Sequence, residues 1–478
     1  MKEFDLAALG NWLNGWVQPD GAFYGFHNHS VWGDNPMRWA DYTCGHSTFS
    51  APYMAGLARV LQKVYDPRGA EQLGRMMRYQ AASMRPDGEY QHIGFQTGEL
   101  AKVGLIHNMV PALSLALAAW YAKDWLDETT RQAAYDSVLR VLTQGSLHYQ
   151  GGRATEKACC NQDYARIWAK LLVRPAFGDD RFEQEAREDL DYMVSHYHIT
   201  GVPDGESDGT VRALGGQEQF LLEPAEYYGL MIAPLCLGYR LYGETRWLDA
   251  ALRLCRHVVR SSFVDDRGQR RVHRAYYSRQ DGTWGRLTQP MQVQGNGMTL
   301  YGILECAGLT RDRELYDFLD QMDHTMAFYQ TERGFLCAAT GWDCEADAVP
   351  ATAWQAHDFL YFAHRLPDFA PDFWDRMFRP VQECSVVLTP TCLWMEDGVR
   401  WTIQDYFSRS VYNLFGRKDR PAFGRDMSWT GEPGVVDESY YWDNLPVFVL
   451  ADRVVTPLRP LRPDVKIYNF SPYEVQGL

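Results

Sequence analysis

The sequence predicts a mainly α chain folded as an (α/α)6 toroid, a ring of six helical hairpins, with a small β-rich C-terminal extension. Three observations carry that expectation. A glycine turn recurs six times, roughly 50 to 80 residues apart, and repeats of that length signal stacked supersecondary units. Between the turns, segments with apolar residues at spacings of three and four come in pairs. After about Pro380 the pattern changes to short strands with frequent Gly and Pro.

The turns are Pro19-Asp20-Gly21, Pro86-Asp87-Gly88, Gly151-Gly152, Pro203-Asp204-Gly205, Gln280-Asp281-Gly282 and Arg333-Gly334. Their Asp-Gly and Gly-Gly steps supply the positive φ that tight turns need. The paired helical segments are Phe49 to Tyr65 with Leu73 to Met84, Val110 to Ala122 with Glu128 to Leu142, and Asp163 to Leu172 with Phe182 to His196. Phe220 to Tyr242 with Trp247 to Val258 and Met298 to Ala307 with Glu314 to Tyr329 follow, and Trp354 to Phe362 begins a shorter last pair. Leu113 to Ala119 is apolar nearly all round, as an inner helix would be, whereas Thr129 to Val141 is two-faced, as an outer one would be. Six hairpins with short turns and strongly diverged repeats favour a closed ring over an open solenoid. Ser385 to Leu388, Val399 to Ile403 and Val447 to Leu450 read as strands. The expected organisation is therefore a toroid over residues 1–378 and an extension over 379–478 that packs on it.

Composition narrows the class of function. Hydrophobic residues make up 46% and charged residues 23%, enough for a large core. The net charge of −14 disfavours nucleic acid and, mildly, long polyanions as partners. No apolar run reaches the ~20 residues of a membrane span, so no membrane partner is expected. Met1 to Leu6 opens without a secretory leader pattern, and the ten cysteines show no compact even framework; together they predict reduced thiols and a cytoplasmic location. Aromatics reach 14%, and their flat faces suit sugar C–H surfaces as well as a Trp-rich helical core.

Polar clusters stand just ahead of, or at the start of, the expected inner helices. They are Arg38 to His46, His107-Asn108, Cys159 to Tyr164, Gln217 to Tyr228, Gln292 to Asn296 and Trp354 to Asp358. In a closed ring these equivalent positions converge on one funnel, where helix N-termini present bare N–H groups. Helix capping is the competing explanation for Asn161, Asp163 and Asn296. His107 and Glu218 are not typical cap residues. His27, His29 and His46 match no common zinc spacing.

This pattern resembles the (α/α)6-toroid glycoside hydrolases and polysaccharide lyases over about Met1 to Phe378. The resemblance rests on the repeat, the Asp-Gly hairpins and the polar clusters, and it implies a funnel binding an oligosaccharide through aromatic subsites. The Asp pair of unsaturated glucuronyl hydrolases has no clear counterpart. Cys159-Cys160-Asn161-Gln162 looks like the Cys-Cys element of zinc-thiolate β-L-arabinofuranosidases, in which adjacent cysteines bind zinc and one is the nucleophile. The Glu-x-Cys of that family has only Asp41-Tyr42-Thr43-Cys44 as its nearest match, so no metal or cofactor is expected here.

A glycosidase needs two carboxyl groups across the scissile bond. Glu218, Asp358 and Asp41 are the chosen candidates, with Glu223 and Glu226 read as first-turn acids. A lyase needs an amide, His or Arg to neutralise a uronate and a His or Tyr base. His107, Asn108, Asn161, Gln162, Tyr164, Arg166 and Tyr227 could supply that set. Trp39, Asn296, Trp354 and His357 complete the expected sugar contacts. Overall acidity tips the choice toward hydrolysis. An epimerase using paired His and Glu, and a non-catalytic helical-repeat scaffold, remain as alternatives.

Overall fold

The structure is a computed structural model that describes residues 2–30, 40–46, 50–90, 105–145, 160–200, 209–211, 223, 227–265, 267–272, 276–278, 284–286, 293, 295–336 and 352–380. Beyond these it describes eight short strands between 385 and 469. In chain order the helices are α1 (Leu6–Asn14), α2 (Pro52–Lys63), α3 (Pro67–Ala82), α4 (Leu105–Tyr121), α5 (Glu128–Thr143), α6 (Cys160–Phe177) and α7 (Glu183–His196). They continue with α8 (Tyr228–Tyr242), α9 (Thr245–Arg260), α10 (Gly297–Thr310), α11 (Arg313–Tyr329), α12 (Thr352–Arg365) and the short α13 (Phe373–Met377).

The even-numbered helices α2, α4, α6, α8, α10 and α12 pack in that order, and α12 packs back on α2. The ring is therefore closed, an (α/α)6 toroid. Every residue from Leu113 to Ala119 is buried in α4, an inner helix, while α5 buries a single stripe of Thr130, Ala134, Ser137, Val138, Val141 and Leu142. Outer partners are α3, α5, α7, α9 and α11, each packed on the inner helix before it. The sixth outer helix corrects the sequence reading. The helix beside α12 is α1, from the start of the chain, and α13 lies against α1. Leu6, Leu9, Leu13, Trp12 and Trp16 bury this face.

Two seams hold the first and last elements together. On the outer side, Gln330 after α11 accepts from the Asp5 amide at 2.8 Å and donates to the Asp5 carbonyl at 2.9 Å. On the inner side, the Lys63 ammonium at the end of α2 donates to the carbonyls of Ala363 at 2.9 Å and Leu366 at 2.5 Å, capping α12. The Phe4 and Phe362 rings stack between them.

Inner and outer helices start differently. Outer helices α1, α3, α5 and α11 begin at aspartates whose side chains accept from first-turn amides, namely Asp5, Asp66, Asp127 and Asp312. The inner helices α2, α8 and α10 carry no side-chain cap bond of their own. Outer helices α1, α3, α7 and α11 are each followed by a turn bridged by one strand-like pair: Val17 with Phe23, Met84 with Tyr90, His198 with Val211, and Gln330 with Leu336. Turn glycines with positive φ also stand at Gly209 after α7 and at Gly268, in the hairpin between β3 (Ser262–Val264) and β4 (Arg270–Val272) after α9. Gly151, Gly205 and Gly282 lie outside the described residues.

Of the remaining strands, β1 (Tyr24–Ser30) and β2 (Ala40–His46) form a hairpin after α1, and β5 (Tyr276–Ser278) and β6 (Trp284–Arg286) another before α10. Beyond α13 come β7 (Ser385–Leu388), β8 (Cys392–Glu396), β9 (Trp401–Asp405), β10 (Ser410–Leu414) and β11 (Phe423–Ser428), an antiparallel meander. The strands β12 (Phe448–Leu450) and β13 (Arg453–Val455) pair with each other, and β14 (Lys466–Asn469) runs parallel to β7. The strands read from the sequence near 385, 401 and 448 are among them.

Candidate functional site

Each inner helix is tied to the next by a short outer return, so all six run the same way and their N-termini share one end of the ring. Backbone approaches confirm this: Gly229 at the start of α8 abuts Met298 at the start of α10, and Gly297 abuts His357 and Asp358 in the first turns of α12.

Farther along the axis, side chains from four inner helices meet, Tyr121 and His364 from the last turns of α4 and α12, Trp168 from the middle of α6 and Tyr301 from the second turn of α10. Given the ring order, α4 faces α10 and α6 faces α12 across the centre. The hydroxyl of Tyr121 on α4 lies 3.4 Å from that of Tyr301 on α10, a contact across the full ring. His364 on α12 has Nδ1 at 2.9 Å from the Leu360 carbonyl, so Nδ1 carries the proton and Nε2 accepts from the Tyr121 hydroxyl at 3.0 Å. The Trp168 ring of α6 stacks on Tyr301 with centroids 5.8 Å apart. Arg240 of α8 pairs with Glu305 of α10 at 2.5 Å beside them. Burial pushes the Glu305 carboxyl up and holds His364 neutral, down to about 3.

These contacts mark which face of each helix looks at the axis. His107 lies about four turns upstream of Tyr121, and Asn161 and His357 lie about two turns upstream of Trp168 and His364, on nearly the same faces. His107, Asn161 and His357 therefore lie on the axial faces of α4, α6 and α12, His107 about two turns farther from these contacts than the other two. Each retains 6–7% exposure, while Asn108 and Asp358, one position along, are sealed at 1% and 0%. Trp354 stands one turn above His357, half-buried, with its ring edge-on at 5.8 Å. Half-buried Gln162 and Tyr227 stand at the starts of α6 and α8.

The other expected residues are held elsewhere. Both Asp358 oxygens accept backbone amides, from Gly295 and Gly297, each at 2.8 Å. Burial pushes this carboxyl up to about 8 against the pull of the two amides. Asp358 thus supplies α10 with the cap that Asn296 does not; the Asn296 amide instead donates to the Val293 carbonyl at 2.9 Å. Glu223 does the same for α6, accepting from the Asn161 backbone at 2.9 Å and its side chain at 3.0 Å. Asn108 accepts from the Tyr90 amide at 2.8 Å and pins the turn after α3, as Gln355 pins Leu336 after α11. The Tyr164 hydroxyl meets His198 Nε2 at 2.6 Å. Arg166 is paired with Asp163, fully buried on α6. Cys160 is buried with its thiol 3.9 Å from the Met231 sulfur.

Glu218, Trp39 and Cys159 lie outside the described residues, and Asp41 sits in β2 opposite His29 of β1. Sequence reasoning missed the axial residues Tyr121, Trp168, Tyr301 and His364. Tyr121 and His364 carry a signal, a polar or aromatic residue in the last turn of an inner helix, whereas Trp168 and Tyr301 lie inside α6 and α10 and carry none.

His357 is pushed down to about 4 from 6.5 by burial, so it is neutral at pH 7. Its contribution to stability is complete above the unfolded value and is lost as pH falls from 6.5 through 4. Relative to His357→Gln, the unmodified protein should lose about 2 kcal/mol between pH 7 and pH 5. Urea midpoints at the two pH values check this; a constant difference would mean that the imidazole protonates freely.

The structure is similar to the glycoside hydrolase family 76 mannosidase of Bacteroides thetaiotaomicron VPI-5482, with TM-score 0.50, 13% identity, and coverage of 76% of this chain and 97% of that one. It is similar to the unsaturated glucuronyl hydrolase of Bacillus sp. GL1, with TM-score 0.50, 15% identity, and coverage of 76% and 95%. It is also similar to the cellobiose 2-epimerase of Bacillus thermoamylovorans B4167, with TM-score 0.52, 11% identity, and coverage of 74% and 96%. What is shared at these identities is the (α/α)6 fold. No family model matches the chain, and no curated protein matches it.

Proposed function

We propose that this chain is a carbohydrate-processing enzyme, in the first place a glycoside hydrolase, whose oligosaccharide substrate enters at the N-terminal ends of the inner helices. One observation carries the reading: His107, Asn161 and His357 lie on the axial faces of α4, α6 and α12, with half-buried Trp354 one turn from His357, and Tyr121, Tyr301, Trp168 and His364 meet farther along the axis. An aromatic side chain beside hydrogen-bonding groups is what sugar sites require. Fold neighbours named as a mannosidase and a glucuronyl hydrolase support the substrate class.

Asp358 is engaged in capping α10, so the two carboxyls of the hydrolytic reaction are assigned to Glu218 and Asp41. One protonates the leaving oxygen and the other activates water or attacks the anomeric carbon. The β-elimination set loses support, because Asn108, Asn161, Tyr164 and Arg166 each hold a protein partner. Epimerisation is the second reading, favoured by two imidazoles on axial faces of α4 and α12 and by an epimerase among the fold neighbours.

The test is a panel of neutral and uronate-containing oligosaccharides, read for reducing ends, for ultraviolet absorbance of unsaturated uronates, and by NMR for epimers. Hydrolysis predicts new reducing ends without absorbance, and Glu218→Gln should lower that rate by about 10²- to 10⁴-fold. Absorbance rising with cleavage would overturn hydrolysis. An epimer formed without cleavage, and abolished by His107→Asn or His357→Asn, would establish the second reading.

A further inference from the structure

Three thiols that the proposed chemistry does not use meet between α8, α9 and α10. Cys236, Cys255 and Cys306 are free and buried, one on each helix. The three helices pack on one another. The α8 and α10 backbones are unusually close here: a Cβ on Gly302 would stand 2.8 Å from the Gly229 Cα. Cys306 lies one turn beyond Gly302 and Cys236 two turns beyond Gly229, so both follow that crossing along the facing sides. A disulfide needs Cα atoms within roughly 4.4 to 6.8 Å, which only closely crossing helices provide. Among the described residues no group of three His, Cys, Asp or Glu side chains is placed to hold a metal ion, so the thiols are not a metal cage.

We propose that Cys306 and Cys236 form an oxidative modification site, closed to a disulfide by a small peroxide, with Cys255 of α9 beside them. The Cys306 sulfur attacks a peroxide oxygen; the S–O bond forms, the O–O bond breaks, and the leaving hydroxide takes a proton as water. The Cys236 sulfur then attacks the sulfenic sulfur, forming S–S and breaking S–O, and a second water leaves with the Cys236 proton. Two thiols are oxidised by two electrons, and one peroxide is reduced to two waters. The neighbouring thiols favour the Cys306 thiolate, whereas burial pushes Cys236 and Cys255 up, which makes Cys306 the attacking sulfur.

The experiment exposes the full chain to hydrogen peroxide, alkylates the remaining thiols in denaturant, and maps a non-reducing digest by mass spectrometry. The expected result is a linked peptide pair carrying Cys236 and Cys306, abolished in Cys306→Ser and retained in Cys255→Ser. In Cys236→Ser the Cys306 sulfenic acid should be trapped by dimedone. A link from Cys306 to Cys255 would overturn the pairing. Sulfinic or sulfonic Cys306 without any link would overturn the site, as would full alkylation of Cys236 and Cys306 under peroxide that oxidises surface methionines.

Discussion

Asp358→Asn should lower the stability of the protein by about 2 to 3 kcal/mol while leaving the rate per folded molecule within a few-fold of normal. The Asp358 side chain is fully buried and both its oxygens accept amides, from Gly295 and Gly297. An amide side chain offers one acceptor and one nitrogen that has no lone pair to give. One of the two amides, of Gly295 or Gly297, would therefore face a donor at a fully buried side chain, and a buried unsatisfied N–H costs about 1 to 3 kcal/mol. Urea unfolding and rate measurements on the folded fraction separate the two effects. Unchanged stability with turnover lost by orders of magnitude would return Asp358 to the reaction as an acid.

Gly334→Ala should be the more damaging change, costing about 3 kcal/mol or more, because strain and clash act together. Gly334 has φ +93, in the left-handed region, and an added Cβ would meet the Ala8 carbonyl carbon at 2.2 Å and its oxygen at 2.3 Å. The obstacle is helix backbone, which cannot rotate away. Equivalent turn glycines Gly21 and Gly209 press on α3 and α9 in the same manner. Gly268 provides the control: it has φ +78 but open space around a Cβ, so Gly268→Ala should cost only about 1 kcal/mol. Equal losses at the two positions would mean that backbone strain alone sets the cost and that the docking of the turn on α1 contributes nothing.

Much of the ring was legible in the sequence because inner and outer helices face different solvents. Leu113 to Ala119 has no polar face to offer water, and Glu128 to Thr143 has one. The turns were legible where Asp-Gly follows an outer helix directly, as at Gly21 and Gly88. At the fourth turn two such steps, Asp204-Gly205 and Asp208-Gly209, stand four residues apart, and local turn chemistry does not choose between them. The outer helix α1 was missed because it precedes the first turn, and its partner α12 lies more than 300 residues away; pairing at that distance has no local signature.

The site was harder to read for a related reason. Residue type and cluster position select His107, His357, Asn108 and Asp358 alike, yet a helix turns about 100° per residue. One step along α4 or α12 therefore separates the axis from the interior of the wall. Only the residues that meet across the ring farther along α4 and α12 reveal which step faces the axis.

The helix α1 is the first part of the toroid to leave the ribosome and, because the surface it covers is on α12, the last to find its place. Until α12 is made, the ring exists as an arc of hairpins with an uncovered apolar flank at each end. Ordering contacts across that sequence separation is slow. During synthesis α1 is thus an amphipathic segment with no cognate surface, and a chaperone that shields such segments would act longest on residues 6–14 of this chain.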